Sequence, residues 1–492
     1  MSCHTFDESE FSIEDVRRVA AENRLLSMEI EFSRRCNFRC PYCYQDASAR
    51  ADEELTAEEA RDVLRQARDL GARTIVVLGG EPMIYPSIME MLAFIRDLGM
   101  NAEIFTNGSR LTPENARKLA QLDVKVVLKF NTKDRELQNR LCGRDDAYDV
   151  ISSAYANLKA AGYGQGGRAL ALSSVISRDN LDELPELWTW IREEGAEPYF
   201  EMITPQGGAK ENDWLDVAPE RIERLFAQLA EIDRKRFGRD WSPQPPLAGN
   251  SCLRHLYSCY VDAYGEVMPC VGIDLVVGNL RKKRLSEIIR DSEVMQDLRG
   301  FRKHIKGPCA SCDEAELCYG CRGAAYQLTG DYLASDPLCW HNADRKGEIE
   351  RLPMPVEGLL PHGPEIRVVD MIRRVGEREA ETETFVTETF PFLDEAGCVE
   401  PEAFMEIVAQ ASAAHNGFRT RHLDERFEGF LLGVRNLKIF GEARLGDRLF
   451  TTVFKEASLG DFGVIRGEVR KDDRLLASAE IKIYHRRLGE LE

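Results

Sequence analysis

Between Met28 and about Phe237, short β-rich runs alternate with amphipathic stretches, and this alternation constrains the fold more than any other feature of the chain. SMEIEF is followed by a helical pattern near Thr56 to Leu70, and TIVVL by another near Ile88 to Leu98. AEIFT, VKVVLKF, ALALSSV and EPYFEMI continue the series, each separated from the next by a helical stretch. Strand and helix in strict alternation argue for parallel βαβ units, in an open sheet or a full or partial barrel. Six such strands fit a partial barrel.

The chain, at 492 residues, is too long for one core. A proline-rich bend, WSPQPPLAGN, closes the first unit. From Asn250 to His341 the sequence is short-patterned, turn-rich and dense in cysteine, so metal is expected to organise it in place of a large core. The connector RKGEIERLPMPVEG leads to a third unit, with one helix from about Pro401 to Thr420. Three β-rich runs follow, FLLGVRNLKIF, DRLFTTVFKEASL and GVIRGEVRKDDRLLASAEIKIYHR, which read as an α+β domain with an antiparallel sheet. The expected divisions are 1–27, 28–245, 246–345, a linker at 346–357, and 358–490.

No apolar run approaches the roughly 18 to 20 residues of a membrane span. MSCHTFDESEF has neither a basic nor an apolar leader region, so a cytoplasmic location is expected, with no membrane partner. The net charge of -19 would repel nucleic acid. Fourteen cysteines in a reducing compartment are better read as ligands than as disulfides. Three lie within Cys36 to Cys43 and eight between Cys252 and Cys339, while Cys3, Cys142 and Cys398 stand alone.

Cys36, Cys40 and Cys43, spaced C-x3-C-x2-C after the first strand, suit three irons of a cubane and leave the fourth open. A structural zinc site would want a fourth protein ligand. Two further segments occur in order: GGEP (Gly79, Gly80, Glu81, Pro82) after the second strand, and TNG (Thr106, Asn107, Gly108) after the third. With Tyr42 before the last cysteine of the triad, this set resembles the radical S-adenosylmethionine (SAM) superfamily. The resemblance implies a 4Fe-4S cluster on the triad, an external electron donor, and reductive cleavage of SAM to a 5'-deoxyadenosyl radical that abstracts hydrogen. It also places GGEP and TNG beside SAM, the glycines allowing close backbone approach. Asn131, Asn180 and Glu201 fall where relatives contact SAM or substrate, and equally suit capping or solvated roles.

The second cysteine cluster resembles the SPASM subfamily. Cys252, Gly265 and Cys270 match the first part of its pattern; Cys309, Cys312, Cys318 and Cys321 match the second, with a final gap of two residues instead of three. Cys339 supplies the last thiol and Cys259 is an eighth candidate. Eight thiolates would satisfy two auxiliary 4Fe-4S cubanes, though which thiol serves which, and whether one iron stays open, is not fixed by spacing. A zinc knuckle on Cys309, Cys312, Cys318 and Cys321 is the competing reading. The subfamily resemblance implies a peptide or protein substrate more often than a small molecule.

The final unit, through LLPHGPEIRVVDMI, PEAFMEIVAQASAAH and GFLLGVRNLKIF, resembles the hotdog fold of β-hydroxyacyl-ACP dehydratases. That family is dimeric and dehydrates acyl thioesters by acid/base chemistry, so the fusion implies an acyl-carrier-protein-tethered substrate and a homodimer. Glu406 stands at the family's helix carboxylate, with Gln410 one turn later. The loop that should hold the catalytic histidine reads PFLDEAGCVEPE and has none; His362 belongs to a different motif. A binding or dimerising module is therefore favoured over an active dehydratase. The expected architecture is a partial (βα)6 TIM-like barrel, a cysteine-rich SPASM extension and an α+β hotdog domain. The expected activity is that of a radical SAM/SPASM oxidoreductase. Its competitors are a bifunctional enzyme with a dehydratase half, acting in ACP-linked lipid or polyketide metabolism, and a non-catalytic metal-binding scaffold.

Overall fold

The computed structural model describes residues 11–45, 53–315, 318–421 and 427–487, so Cys3 lies outside the described residues. Two compact units emerge, one of residues 1–328 with 332–349, the other of 329–331 with 350–492.

In the first unit, helix α1 (Ile13–Ala21) precedes six parallel strands: β1 (Ser27–Glu31), β2 (Thr74–Leu78), β3 (Asn101–Thr106), β4 (Lys125–Lys129), β5 (Leu170–Ile176) and β6 (Glu197–Met202). Each pairs with its sequence neighbour. The crossovers carry α2 (Ala57–Asp69), α3 (Ile88–Asp97), α4 (Pro113–Gln121), α5 (Arg135–Cys142), α6 (Ala147–Ala160) and α7 (Leu184–Glu193); α8 (Pro219–Ile232) follows β6. Local chemistry sets the helix starts. Thr56 and Glu59 form a reciprocal capping box on α2, and Thr112 caps α4 ahead of Pro113. All seven residues of β5 are buried, as a parallel strand covered on both faces requires.

The sheet does not close on itself. The second edge of β1 is taken in parallel by β7 (Tyr260–Val261), followed by antiparallel β8 (Glu266–Met268) and β9 (Gly278–Asn279). At the other end, an antiparallel bridge joins Glu201 of β6 to Leu247. The cysteine-rich stretch adds α9 (Arg254–Tyr257), α10 (Leu285–Asp291), α11 (Glu293–Arg299) and α12 (Arg322–Thr329). Among the described residues no helix is long and apolar enough to cross a membrane.

The sequence predicts one helix between the fourth and fifth strands, and the structure has two. Gly143, in the left-handed conformation at φ 59°, ends α5. A Cβ there would lie 2.0 Å from the Arg39 carbonyl oxygen, and Arg39 N donates to Cys142 O at 3.2 Å. The break thus docks the end of α5 onto the loop that carries the cysteine triad.

The second unit wraps α13 (Ala403–Thr420) with a seven-stranded antiparallel sheet. Its strands are β10 (Met354–Pro355), β11 (Met371–Val375), β12 (Glu379–Phe385), β13 (Phe427–Ile439), β14 (Arg448–Leu459), β15 (Phe462–Lys471) and β16 (Arg474–Arg487), in the order β10-β11-β12-β14-β15-β16-β13. Phe404, Ile407, Val408 and Ala411 of the helix join Val453, Ile465 and Ile481 in one core. The last β-rich run forms the hairpin of β15 and β16, turning where Asp472 takes φ 50°. The β11–β12 hairpin was not expected, because its charges mask the inward alternation of Ala380, Thr382 and Thr384.

Candidate active site

The triad loop leaves β1 and is clamped by the GGEP turn at the end of β2. Gly80 N donates to Ser33 O at 3.1 Å and Glu81 N to Arg35 O at 2.8 Å. A Cβ on Gly80 would sit 2.1 Å from Arg35 O, so only glycine permits this approach. Glu81 is 2 % exposed and accepts from Thr106 Oγ1 and Asn107 N, both at 2.6 Å, and from Met83 N at 2.9 Å. Burial nevertheless pushes its carboxyl up to about 7. GGEP and TNG are thereby locked to each other at adjacent strand ends.

A cavity of ≈ 330 Å³ opens over these turns. Cys36, Cys40, Cys43, Tyr42, Gly79, Gly80, Glu81, Thr106, Asn107 and Glu201 line it, as do Cys252, Cys270 and Cys321. Backbone and amide donors already face the triad: Phe38 N lies 3.4 Å from Cys36 Sγ and Asn107 Nδ2 3.8 Å from it. Burial raises the thiols of Cys36 and Cys43 to about 11 and that of Cys270 to about 12, so a cation must be bound before they ionise at neutral pH. Among the described residues no three His, Cys, Asp or Glu side chains converge on a point that one ion could fill. Three thiols of one loop on the wall of a cavity are the donor set that three irons of a cubane would take.

Several expected contacts stand behind the wall. Pro82, the last residue of GGEP, is buried where it opens the short turn Pro82–Ile84, and Gly108 packs where a Cβ would come 2.7 Å from Ala154 Cβ of α6. Asn131, fully buried, donates to Tyr42 Oη at 3.0 Å and accepts from Val175 N at 3.1 Å. Asn180, also fully buried, donates to Asn131 O at 3.1 Å and Val175 O at 2.9 Å. These two asparagines orient Tyr42 and the ends of β4 and β5; the structure does not bring them to the cavity.

Sequence reasoning missed several residues that do reach it. Lys129 Nζ lies 3.9 Å from Glu201 Oε1, 3.4 Å from Ser173 Oγ and 4.9 Å from the centroid of the Tyr42 ring. Arg254 pairs with buried Glu29 and donates to Tyr199 Oη at 3.1 Å. Burial raises the Glu29 carboxyl despite this partner. A signal for Glu29 existed: SMEIEF alternates Met28, Ile30 and Phe32 with two glutamates, where a strand buried on both faces should read as a continuous apolar run.

The remaining cysteines divide. Gly272 and Gly323 let two loops approach so closely that a Cβ on Gly272 would meet Gly323 Cα at 3.0 Å, and this packing sets Cys270 beside Cys321. Cys309, Cys318 and Cys339 are electrostatic neighbours of one another, and Cys312 lies with Cys309 near Arg345. Asn342 Nδ2 donates to Cys309 Sγ at 3.3 Å. Cys259 is fully buried in the hydrophobic core beside Val261 and Val267, its thiol raised to about 12 by burial. In the second unit, His362 Nε2 lies 3.9 Å from Glu406 Oε1, and Gln410 Nε2 donates to that oxygen at 2.8 Å.

Comparison with known proteins agrees with this geometry. The family model of the radical SAM superfamily matches residues 30–190, that of the SPASM iron-sulfur cluster-binding domain 252–313, and that of the ApeP dehydratase 354–491. An AdoMet-dependent heme synthase of Methanosarcina barkeri is 26% identical over 66% of this chain and 98% of its own length. The PqqA peptide cyclase of Streptomyces rochei is 28% identical over 68% and 96%. SuiB of Streptococcus suis, solved bound to its precursor peptide SuiA, covers 69% of this chain and 84% of its own at 17% identity, with a TM-score of 0.51. The order of the three matches along the chain is the order of the parallel sheet, the cysteine-rich extension and the antiparallel unit. The chain is a radical SAM enzyme, with 4Fe-4S clusters and SAM as its cofactors, that carries a SPASM domain and a C-terminal ApeP-like domain of the hotdog type.

Proposed function

We propose that this enzyme is an oxidoreductase that abstracts hydrogen from a peptide, a protein or a carrier-tethered group. The single observation carrying the reading is the continuity of the cavity, which runs from Cys36, Cys40 and Cys43 to Cys252, Cys270 and Cys321. The cofactors would supply reductive cleavage of SAM to a 5'-deoxyadenosyl radical, with electrons from an external donor. The protein's own part is to shape and aim. Phe105, Val127, Val175 and Leu247 make much of the wall apolar and exclude water. Lys129 offers a cation to a carboxylate within that wall, and Arg254, held by Glu29 and Tyr199, offers a second. Two carboxylate-directed cations in an apolar cavity suit an amino-acid-like cofactor beside a peptide chain. The likeness to the PqqA peptide cyclase supports the peptide class.

The test is anaerobic reconstitution followed by 5'-deoxyadenosine release under reduction, with precursor peptides and acyl-loaded carrier protein offered in turn. Cleavage stimulated by one of them, and lost on changing Cys36, Cys40 and Cys43 to Ala, is the expected result. No cleavage by the reduced, fully loaded wild type would sink the reading.

The proximity of His362 and Glu406 favours a second reading, in which the hotdog unit works on an acyl thioester by acid/base chemistry. Its helix carboxylate and a histidine are brought together within one chain even though the expected loop lacks a histidine. A dimer is the natural setting for this unit, because β13 is the outermost strand of its sheet and exposes Leu432 and Phe430 along it.

A further inference from the structure

Cys252, Cys270 and Cys321 are three thiols on one cavity, and a closed cubane takes four ligands. No remaining cysteine fills the gap among the described residues. Cys259 is packed into the core, and Cys309, Cys312, Cys318 and Cys339 do not line the cavity.

His255 does line it. The ring is 3 % exposed, three residues beyond Cys252, on the single-turn helix α9. Its Nδ1 lies 3.1 Å from Tyr319 Oη, which fixes the plane of the imidazole. Its Nε2 is buried with no hydrogen-bond partner. Buried polar atoms are nearly always paired, so an orphaned imidazole nitrogen facing a cavity calls for a water, an ion or another group to fill its lone pair. With Nδ1–H donated to Tyr319, Nε2 holds that lone pair, the arrangement by which metal-bound histidines are oriented through the opposite nitrogen. Arg322 lines the same wall, 1 % exposed, with Nε and Nη2 likewise unpartnered, and so brings positive charge to the thiol group.

We propose that His255, through Nε2, is the fourth ligand of the auxiliary cluster held by Cys252, Cys270 and Cys321. The proposal rests on the reading of these thiols as a cluster site. It has an electronic consequence: a neutral imidazole in place of a thiolate removes one negative charge and raises the reduction potential, as histidine ligation does in other iron-sulfur centres. Full coordination also means that this cluster does not bind substrate through an iron, so the cavity beside it is left to recognition by Lys129 and Arg254.

The experiment uses the full chain with Cys36, Cys40 and Cys43 changed to Ala, reconstituted without oxygen and labelled with ¹⁵N at histidine only. Iron is counted, and the reduced clusters are read by pulsed EPR. The expected result is about eight irons per chain, at four per cubane, with strong coupling to a histidine nitrogen. His255→Cys in the same background should keep the iron, lose the coupling and lower one midpoint potential. About eight irons without any histidine coupling would overturn the assignment and leave the SPASM reading standing. About four irons, unaffected by Cys270→Ala, would remove the cluster site itself and His255 with it. Because the coupling is read in a background that retains His255, a poorly folding His255→Cys would not blunt the test.

Discussion

Gly143→Ala tests whether the end of α5 sets the position of the cluster loop. The residue sits at φ 59°, where a side chain costs about 1–2 kcal/mol in any context. Its new Cβ would also fall 2.0 Å from Arg39 O and 2.5 Å from Arg39 C, both backbone atoms, so the loop must retreat by about 1 Å to reach an ordinary contact. That retreat breaks the bond from Arg39 N to Cys142 O, worth about 1 kcal/mol. The expected loss is about 2–4 kcal/mol, together with depletion of iron from the triad. Gly238→Ala supplies the control: φ there is 65°, with nothing within 4 Å of the added Cβ, so it carries the backbone strain without the collision. All five tryptophans, Trp188, Trp190, Trp214, Trp241 and Trp340, lie in the first unit, so fluorescence during anaerobic urea unfolding reports on that unit alone. Equal midpoints and equal iron in the two variants would refute the argument.

Three further outcomes are expected. His415 is buried, with Nε2 3.0 Å from Gly376 O, and burial pulls its imidazole from 6.5 down to about 4. The unfolded chain therefore takes up the proton first, so stability present above pH 6.5 falls by up to about 3 kcal/mol as pH drops through 4; circular dichroism should show this slope flattened in His415→Gln. Glu406→Gln should leave SAM cleavage unchanged while abolishing any hydration or dehydration of acyl thioesters, and undiminished turnover would remove the second reading. Leu432→Lys, on the outer strand of the second unit, should convert a dimer to a monomer in light scattering; a wild-type monomer would exclude the hotdog contact.

The parts of the site that lie within one loop were legible in the sequence. Cys36, Cys40 and Cys43, the GGEP turn and the TNG turn each span a few residues, and backbone geometry alone ties them to strand ends. Residues that meet only through the tertiary fold were not. Lys129 closes an apolar strand and looks like a solvated end, and Arg254 and His255 sit in LRHLY, which resembles an ordinary exposed turn. Asn131 and Asn180 were legible as strand-end asparagines, but whether such a residue faces the cavity or ties down the backbone behind it depends on rotamer and neighbours. In the second unit, β12 was hidden because Glu383, 1 % exposed, reads as a surface charge until Arg373 and Arg448 are seen to neutralise it.

The position of β1 bears on how this chain could be recombined. It is paired in parallel on both edges, Glu29 opposite Val76 on one side and opposite Tyr260 on the other, and the Glu29–Arg254 pair crosses the second boundary. A gene cut near residue 245 would strip one ladder from the strand that launches the triad and strand a buried carboxylate without its guanidinium. The barrel and the cysteine-rich extension are therefore one inheritable block, and an exchange of C-terminal partners between related enzymes belongs near residue 350, where the first unit ends.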